Sequence, residues 1–221
     1  MSERITPQRF FDVVGLEDWR IVGEGACAFY RTESLAASAR LAQAIGELKE
    51  VDDDHTTVDL RGDGVTVRLV TIKPGHYGLS ERDLELAQQI SALARDLNFT
   101  ADPSRIQNVQ ICIDALVNAD VLPFWRAILG YTDRPDNPAE DLIDPRRRGP
   151  LVYFQGMDRP RPQRNRIHLD VWVAHDQADA RIAAAVAAGG RVVTDEYAPS
   201  WTVLADAEGN EACVCTWQEH A

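Results

Sequence analysis

The chain has 221 residues, of which 45% are hydrophobic, and its formal net charge is −12. This length suits one large domain or two small ones, at roughly 100–200 residues per domain, and the apolar content suits packed cores. Neither half has the excess of Lys and Arg that phosphate neutralisation requires, so we expect no nucleic-acid partner. No apolar run approaches the ~18 residues of a membrane-spanning helix, and the N-terminus lacks a basic-then-apolar leader. We therefore expect a cytoplasmic protein with no membrane association.

The four cysteines also bear on the environment and class of the protein. They are Cys27, Cys112, Cys213 and Cys215, and none falls in a CxxC pair. This spacing favours reduced, mostly buried thiols over a disulfide framework or a structural zinc site.

The first hundred residues show the order helix, two strands, helix, two strands, helix. Ser34 is a candidate cap for the second helix, and a stripe of Leu35, Ala39, Ala42 and Ile45 is its expected apolar face. The predicted elements are a helix after Pro7, strands at Trp19–Val22 and Ala26–Arg31, a helix from Ser34 to about Leu48, strands at Thr56–Leu60 and Val65–Thr71, and a helix after Ser80, where Asp83 completes a capping box. Thr100–Ser104 ends this pattern and is interpreted as a linker.

The second half contains an internal repeat with a shift of 60 residues, which superposes Ile111 on Val171 and Gly130 on Gly190. Each copy begins with a strand and continues into a helix that stops at a glycine. The predicted elements are strands at Ile106–Ile113 and Arg166–Val173, helices at about Val117–Leu129 and Asp176–Ala188, and later strands at Leu151–Gln155, Val192–Thr194, Thr202–Ala205 and Ala212–Thr216. Asp133–Pro150 is expected to be a long loop. The sequence thus predicts an α+β protein with domains at 1–100 and 104–221, the second built of copies at about 106–160 and 166–218.

The segment Gly78-Leu79-Ser80-Glu81-Arg82-Asp83-Leu84-Glu85-Leu86-Ala87 resembles the hallmark of the pterin-4a-carbinolamine dehydratase family. The resemblance extends over about residues 5–98 and implies an α-β-β-α-β-β-α domain with an antiparallel sheet. It also implies removal of water from a 4a-hydroxytetrahydropterin, with histidines as acid and base and with no metal or other cofactor. Imidazole suits both roles because its pKa of ~6.5 lies near neutrality.

The resemblance implies specific site residues. The family's His-His-Pro falls on Asp54-His55-Thr56, its third histidine corresponds to a displaced His76, and Asp83 matches its acidic residue. On this hypothesis His55 is the main acid or base, His76 is its partner, Asp83 orients them, and Asp54 lies beside the ligand. In the alternative hypothesis His55 is a solvated loop residue, Asp83 is only a helix cap, and the site is inactive.

The repeat resembles the glyoxalase/bleomycin-resistance branch of the vicinal oxygen chelate superfamily, through Phe124–Tyr131, Asn165–Asp170 and Leu204–Glu211. The resemblance implies two βαβββ modules that form a cupped sheet. The metal ligands of metal-using members fall here on Asn108, Tyr153, His168 and Cys213, with Glu211 as an alternative to Cys213. Because Asn and Tyr complete a poor ligand set, we expect no tightly held metal.

The expected role of the cup is to bind an organic molecule, with Trp172 and Trp201 as aromatic walls and His168 inside. Trp217 is a third candidate wall. The tryptophans could equally be ordinary core residues, and in the alternative interpretation His168 is a strand histidine hydrogen-bonded within the cup. The leading hypothesis is a pterin-dehydratase homologue joined to a glyoxalase-like domain, binding a small molecule such as a pterin and forming a homo-oligomer. The alternatives are a non-catalytic oligomeric protein that binds a small aromatic ligand, and a metal-dependent lyase or dioxygenase.

Overall fold

The structure is a computed structural model that describes residues 4–23, 25–49, 51, 55–119, 122, 131–159, 167–187, 190–205 and 211–219. The chain divides into two compact units, Met1–Ile106 and Gln107–Ala221. Among the described residues no helix is long and apolar enough to cross a membrane. All four cysteines are buried and none forms a disulfide, as the sequence predicts.

The first unit packs helices against an antiparallel sheet in the order β1-β2-β4-β3, with β7 added beside β2 and a separate β5–β6 hairpin. Its elements are α1 (Pro7–Phe11), β1 (Trp19–Val22), β2 (Gly25–Arg31), α2 (Leu35–Gly46), β3 (Thr56–Arg61), β4 (Gly64–Leu69), β5 (Thr71–Lys73), β6 (His76–Gly78), α3 (Glu81–Asp96), β7 (Thr100–Ala101) and a 3-10 turn at Pro103–Arg105.

A buried polar contact fixes α3 on this sheet. The indole Nε1 of Trp19 donates to Ser91 Oγ at 3.0 Å, and the Tyr30 hydroxyl lies 3.3 Å from the same oxygen. All three residues are fully buried, so the serine joins β1, β2 and α3 at one point. Leu86 and Ile90 of α3 are also buried.

The predicted apolar face of α2 is wrong except at Ile45. The buried residues are Ala37, Ser38, Leu41 and Ile45, whereas Leu35 is 60% exposed. Part of the reason is that the Ser38 hydroxyl turns inward and donates to Arg61 O at 2.6 Å, so a polar residue is buried on this face.

The expected linker is also partly incorporated into the first unit. Thr100–Ala101 form β7 and pair with Arg31 and Tyr30 of β2, and the Asp102 amide donates to Phe29 O at 2.8 Å. Backbone hydrogen bonding therefore continues past α3, which periodicity of side chains does not reveal.

The second unit is an eight-stranded sheet in the order β13-β14-β15-β12-β8-β11-β10-β9. Its elements are β8 (Gln107–Ala115), β9 (Thr132–Asp133), β10 (Asp141–Ile143), β11 (Leu151–Gly156), β12 (Ile167–Val173), a 3-10 turn at His175–Gln177, α4 (Ala178–Ala187), β13 (Arg191–Thr194), β14 (Trp201–Ala205) and β15 (Glu211–Cys215). Most of the helix expected in the first copy lies outside the described residues. The prediction of an α+β fold is confirmed.

The two copies meet at the centre of the sheet, where β8 and β12 pair antiparallel. Gln110 lies opposite Asp170, and these two residues are also equivalent under the 60-residue shift. The internal twofold axis of the repeat therefore passes between them. On each side the first strand of the copy pairs parallel with the last, β8 with β11 and β12 with β15.

The expectation of an irregular Asp133–Pro150 loop is wrong in part, because β9 and β10 lie within it or at its edge. The remainder is organised around the buried Asp144 carboxylate. It accepts hydrogen bonds from Arg146 Nε and from the backbone amides of Arg146, Arg148 and Gly149, at 2.8–3.0 Å. Burial alone would raise the pKa of Asp144, but these donors outweigh it and hold that pKa well below its usual range.

We predict that Asp144→Asn lowers the free energy of unfolding of the second unit by about 1–3 kcal/mol at pH 7, because amide hydrogens would face the backbone N–H groups. A carboxylate with a depressed folded-state pKa stabilises the fold above its unfolded value of ~3.9 and loses that effect as the pH falls. The difference between wild type and variant should therefore shrink below about pH 4. Urea unfolding followed by tryptophan fluorescence measures the free energy of unfolding of the second unit, since four of the five tryptophans lie after residue 106.

The control is Asp158→Asn, which changes the same residue type at an exposed position. An equal loss of stability in both variants, or a difference that does not depend on pH, would show that the Asp144 hydrogen bonds do not organise this segment.

The two-domain organisation yields a second prediction. Because β7 belongs to the first sheet, the boundary for separate expression should follow Ile106, and fragments 1–106 and 107–221 should each fold. Circular dichroism and cooperative thermal unfolding of each fragment test this. If neither fragment folds while the full chain does, the two units depend on each other.

Candidate functional site

The start of α3 is anchored by the Asp83 side chain, which is 1% exposed. Its Oδ2 accepts from the Ser80 backbone amide at 2.8 Å, from Ser80 Oγ at 2.8 Å and from Thr71 Oγ1 at 2.6 Å. The first bond is half of a capping box, as the sequence predicts. The bond to Thr71 ties the first turn of α3 to β5, so Asp83 has a structural role whatever else it does.

His55 lies directly before β3, and its carbonyl accepts from the Val70 amide at 3.0 Å. Its half-buried imidazole reaches the second residue of α3: His55 Nδ1 is 3.3 Å from Arg82 Nη1. Because a guanidinium only donates, Nδ1 accepts and the ring proton is on Nε2. His55 is therefore positioned by the helix start that Asp83 anchors, and it is not a fully solvated loop histidine.

His76 begins β6 and is buried, with 7% of its surface exposed. It pairs with Lys73 across a turn of Pro74 and Gly75, where Gly75 has φ of +71°. The register places Thr71 opposite Gly78, so His76 is two residues along the hairpin from the Thr71–Asp83 bond, or about 6.6 Å at ~3.3 Å per residue. The displacement of His76 from the family position therefore lies in this tight hairpin.

The structure connects His55 and Asp83 through adjacent residues, Arg82 on α3 and Val70–Thr71 on the strand side. It connects His76 to the same region through the β5–β6 hairpin. Asp54 lies outside the described residues.

In the second unit one face of the sheet collects polar and thiol side chains, because alternate residues of each strand point the same way. His168 lies opposite Cys112, Asp170 lies opposite Gln110 and Cys213, and Trp172 lies opposite Asn108 and Cys215. We call this the cup face, and define it by these residues together with Asp114, Tyr153, Gln155 and Trp201.

His168 is at the centre of a group of ionisable side chains on the cup face. Its Nδ1 is 3.8 Å from Asp114 Oδ1, and its Nε2 is 3.5 Å from Asp170 Oδ1. Ligand atoms of His168, Asp170 and Cys213 all lie within 4.8 Å of one another, and so do those of Cys112, Asp114 and His168. His168 is therefore neither isolated nor in an apolar core.

The same contacts perturb the ionisation of these groups. Hydrogen bonding with Cys112 and Cys213 raises the pKa of His168. Hydrogen bonds with Cys215 and His168 lower the pKa of Cys213, against the opposing effect of burial. Burial raises the pKa of Asp170 to about 7, with Cys213 adding to the effect.

The two proposed aromatic walls differ in their surroundings. Trp172 donates from Nε1 to Gln110 Oε1 at 2.9 Å and lies 6.0 Å from the Trp217 ring. Trp201 is 38% exposed and stacks on Tyr197 with ring centroids 4.6 Å apart. Both lie in one row on the cup face, on either side of β15. Because Trp201 is partly exposed to solvent, it is the more available of the two to a ligand.

The family positions for a metal are not gathered at one point. Asn108 lies opposite Trp172, two residues along β8 from the Gln110–Asp170 pair. Glu211 is exposed and lies opposite Ala205.

The sequence analysis did not identify Arg82, Cys112, Asp114 or Asp170. The alternation Asn108-Gln110-Cys112-Asp114, which places four polar or thiol side chains on one face of β8, was the available signal.

Comparisons with known proteins agree with these two units. The family model described as "Pterin 4 alpha carbinolamine dehydratase" matches residues 3–93, and the model described as "Glyoxalase-like domain" matches residues 110–215. A protein of Nocardia farcinica (strain IFM 10152), whose name provisionally calls it a pterin-4-alpha-carbinolamine dehydratase, is 36% identical over 80 residues. That alignment covers 36% of this chain and 82% of the relative.

Two solved structures are also similar in part. One is titled as an NAD-dependent benzaldehyde dehydrogenase from Legionella pneumophila, with 10% identity, a TM-score of 0.37, and coverage of 48% of this chain and 96% of that chain. The other is a glyoxalase/bleomycin resistance protein/dioxygenase superfamily member from Vibrio splendidus 12B01, with 14% identity, a TM-score of 0.35, and coverage of 50% and 98%. At these scores neither contributes to the assignment.

The first unit, with its capping box at the start of α3, and the second, with its duplicated strand pattern, match a dehydratase-like domain joined to a glyoxalase-like domain. Through its first unit the chain belongs to the pterin-4a-carbinolamine dehydratase family.

The anchoring role of Asp83 can be separated from a catalytic one. We predict that Asp83→Ala lowers the free energy of unfolding of the first unit by about 1–3 kcal/mol, because Thr71 and Ser80 lose a buried acceptor. Thermal unfolding by circular dichroism measures the change. Asp96→Asn, an exposed carboxylate at the other end of α3, is the control and should leave the melting temperature nearly unchanged.

Proposed function

We propose that the first unit dehydrates a 4a-hydroxytetrahydropterin. The observation that carries this proposal is the contact of His55 with Arg82 at the anchored start of α3, inside a segment that matches the dehydratase family. The imidazole there is half-buried and held in one tautomer, as a group that acts on a substrate should be.

The reaction requires two coordinated events at the pterin. The bond from C4a to the hydroxyl oxygen breaks while that oxygen gains a proton and leaves as water. A ring nitrogen loses its proton, and its electron pair forms the new double bond. No net proton, electron or metal is consumed, so side chains that donate and accept protons suffice.

His55 suits the departing hydroxyl. Arg82 donates to Nδ1, which leaves Nε2–H as the donor of the ring and polarises it, since linked hydrogen bonds strengthen one another. In this proposal Nε2–H donates a hydrogen bond to the hydroxyl oxygen and stabilises the charge that develops on it as the C4a–O bond breaks. The proton that completes the leaving water comes from solvent, to which the proton taken from the ring nitrogen returns. Arg82 is then a positioning residue, which the family motif contains but which acts through His55.

The ring proton is assigned to His76 in this proposal. Its burial on the β5–β6 hairpin shields it from bulk water, and the hairpin begins at Thr71, which Asp83 holds. Asp83 orients the two histidines indirectly, through the strand and the helix that it joins. Asp54, beside His55 in sequence, is proposed to contact the ligand.

For the second unit we propose binding of a small planar molecule on the cup face, against the exposed Trp201 and near Trp172 and His168. The stacked Tyr197–Trp201 pair favours this function, because it leaves an aromatic surface partly open to solvent.

A homo-oligomer is also proposed. The last strand of the first sheet, β3, offers an edge for pairing and includes Leu60, which is 38% exposed.

We predict that His55→Ala lowers the rate of 4a-hydroxytetrahydropterin dehydration by about 10²–10⁴-fold, the usual effect of losing an acid or base group. His76→Ala should cost less, and Arg82→Gln should lower kcat more than it changes KM. The measurement is the decay of freshly generated 4a-hydroxypterin above its spontaneous rate, with full-length protein.

The matched control is His175→Ala, a histidine of the second unit, which should leave the rate unchanged. If wild-type protein gives no rate above the spontaneous one, the first unit has no dehydratase activity. The protein would then be a non-catalytic binder of a small aromatic ligand.

A further inference from the structure

We infer that Cys213 is a nucleophile on the cup face, and that it adds covalently to a planar α,β-unsaturated aldehyde or ketone with His168 as its base. The cup face is the surface for which binding of a planar molecule is proposed, so the class of electrophile rests on that proposed function. The dehydratase site lies in the other unit and plays no part here.

Cys213, His168 and Asp170 bring together a thiol, an imidazole and a carboxylate. Asp170 lies directly opposite Cys213, where β12 pairs with β15. The sulfur, a ring nitrogen and a carboxylate oxygen all lie within 4.8 Å of one another. The imidazole hydrogen-bonds with the Cys213 thiol, so the base already contacts the group whose proton it must take. A thiol becomes a strong nucleophile when an adjacent base removes that proton.

Two acidic side chains orient the His168 ring. Nδ1 lies 3.8 Å from Asp114 Oδ1, and Nε2 lies 3.5 Å from Asp170 Oδ1 on the other side of the ring. The Asp114 carboxylate favours a proton on Nδ1, which leaves Nε2 as the basic nitrogen. The positive charge that forms when His168 takes the thiol proton lies between the two acids, which stabilise it. Asp114 and Asp170 act through His168 and are positioning residues.

Cys112 is the competing thiol beside His168. It is fully buried, and its Sγ donates to Gln155 Oε1 at 3.6 Å. Cys213 retains a small exposed surface, 6% of the residue, through which a molecule on the cup face reaches its sulfur. The attacking sulfur is therefore that of Cys213.

Cys215 assists from the same strand. It lies two residues beyond Cys213 on β15, so both thiols are on the cup face. The two thiols hydrogen-bond with each other, and the Cys215 S–H stabilises the negative charge that develops on the Cys213 sulfur. Cys215 itself lies between Trp172 and Trp201 on the neighbouring strands, which leaves less room for a ligand at its own sulfur.

The aromatic side chains of the cup select the shape of the electrophile. Trp201 is partly exposed and stacks on Tyr197. The register places Trp201 one strand over and two residues along from Cys213, which is about 8 Å at ~4.8 Å per strand and ~3.3 Å per residue. A ring that stacks on Trp201 and carries a conjugated carbonyl chain spans this distance, so the chain reaches the sulfur.

The addition balances without an oxidant or a reductant. The Cys213 sulfur bonds to the β-carbon, and the electrons of the carbon–carbon double bond move through the α-carbon to the carbonyl oxygen. His168 holds the thiol proton and then returns it to the α-carbon. The products are a thioether and a saturated carbonyl, with no net gain or loss of protons or electrons.

The test uses reduced full-length protein and trans-cinnamaldehyde, which is planar and conjugated. Intact mass and peptide mapping should show about one adduct per folded chain, on Cys213, formed about 10-fold faster than on the other cysteines. His168→Gln should slow this adduct by about 10²-fold, as the loss of a base does. In His168→Gly, added imidazole should restore part of the rate, which a purely structural histidine would not allow.

Asp114→Asn tests the positioning role. It should slow the adduct by about 10-fold when His168 is present and have no further effect in the His168→Gly background, because its contribution passes through the ring. An equal effect in both backgrounds would overturn the role of Asp114.

Two further reagents separate the nucleophile from the ligand site. Iodoacetamide lacks an aromatic ring, so faster alkylation of Cys213 than of the other cysteines supports the nucleophile alone. Cinnamyl alcohol has the same ring and chain without the carbonyl, so it should quench tryptophan fluorescence and form no adduct. If the alcohol binds but Cys213 reacts with neither electrophile, the nucleophile is overturned and the proposed binding on the cup face stands. Alkylation of Cys213 without binding of the alcohol would instead overturn the planar ligand.

Cys27→Ser is the matched control, because it removes a buried thiol from the other unit and should leave the adduct unchanged. Cys213→Ser should abolish the adduct, and circular dichroism of each variant shows whether a lost reaction reflects lost folding. An adduct that forms on Cys112 and not on Cys213 would also overturn the inference.

Discussion

The antiparallel pairing of β8 with β12 is the constraint on which the second unit depends. A strand alternates its side chains between faces, so a slip of one residue would send every cup residue to the opposite face. The hydrogen bond from Trp172 to Gln110 crosses this pair and holds the observed register. This register places His168 beside Cys112, and the parallel pairing of β12 with β15 places Asp170 beside Cys213. The side chains that meet on the cup face follow from these two pairings.

A comparable constraint in the first unit is the buried carboxylate of Asp83. It joins the start of α3 to β5 and so sets where Arg82 can reach His55. The two units thus use their acids differently: Asp83 is satisfied by three hydrogen bonds, whereas Asp170 retains a buried oxygen without one among the described residues. Hydrogen bonds offset the cost of burying the Asp83 carboxylate, whereas at Asp170 that cost is offset only in part.

Much of the fold could be predicted from the sequence, because strong local signals mark it. Trp19–Val22 has the predicted bounds, the capping box at Ser80 is present, and the repeat of 60 residues sets the strand order. The buried face of α2 was missed because Ser38, a polar residue, is buried through a hydrogen bond to a distant carbonyl. The strands β7, β9 and β10 were missed because two or three residues carry no periodicity.

The candidate sites were predicted less completely, for a physical reason. Motifs identify residues that lie near each other in sequence, such as Ser80 and Asp83. The contacts of His55 with Arg82, and of His168 with Asp114, join residues far apart in the chain and depend on the final packing. Which residues come into contact therefore depends on the register of the sheets and on the hydrogen bonds of Asp83 that fix the start of α3.

The pairing of Gln110 with Asp170 on the internal twofold axis has a consequence for how such a domain can diverge. If two identical modules formed this sheet as a homodimer, the same side chain would face its own copy across the axis. Two carboxylates in that position would repel each other, and so an acid would be disfavoured there. Joining the modules in one chain removes that requirement, because each copy can mutate alone. The first copy keeps an amide that serves the packing of Trp172, and the second is free to carry a charge.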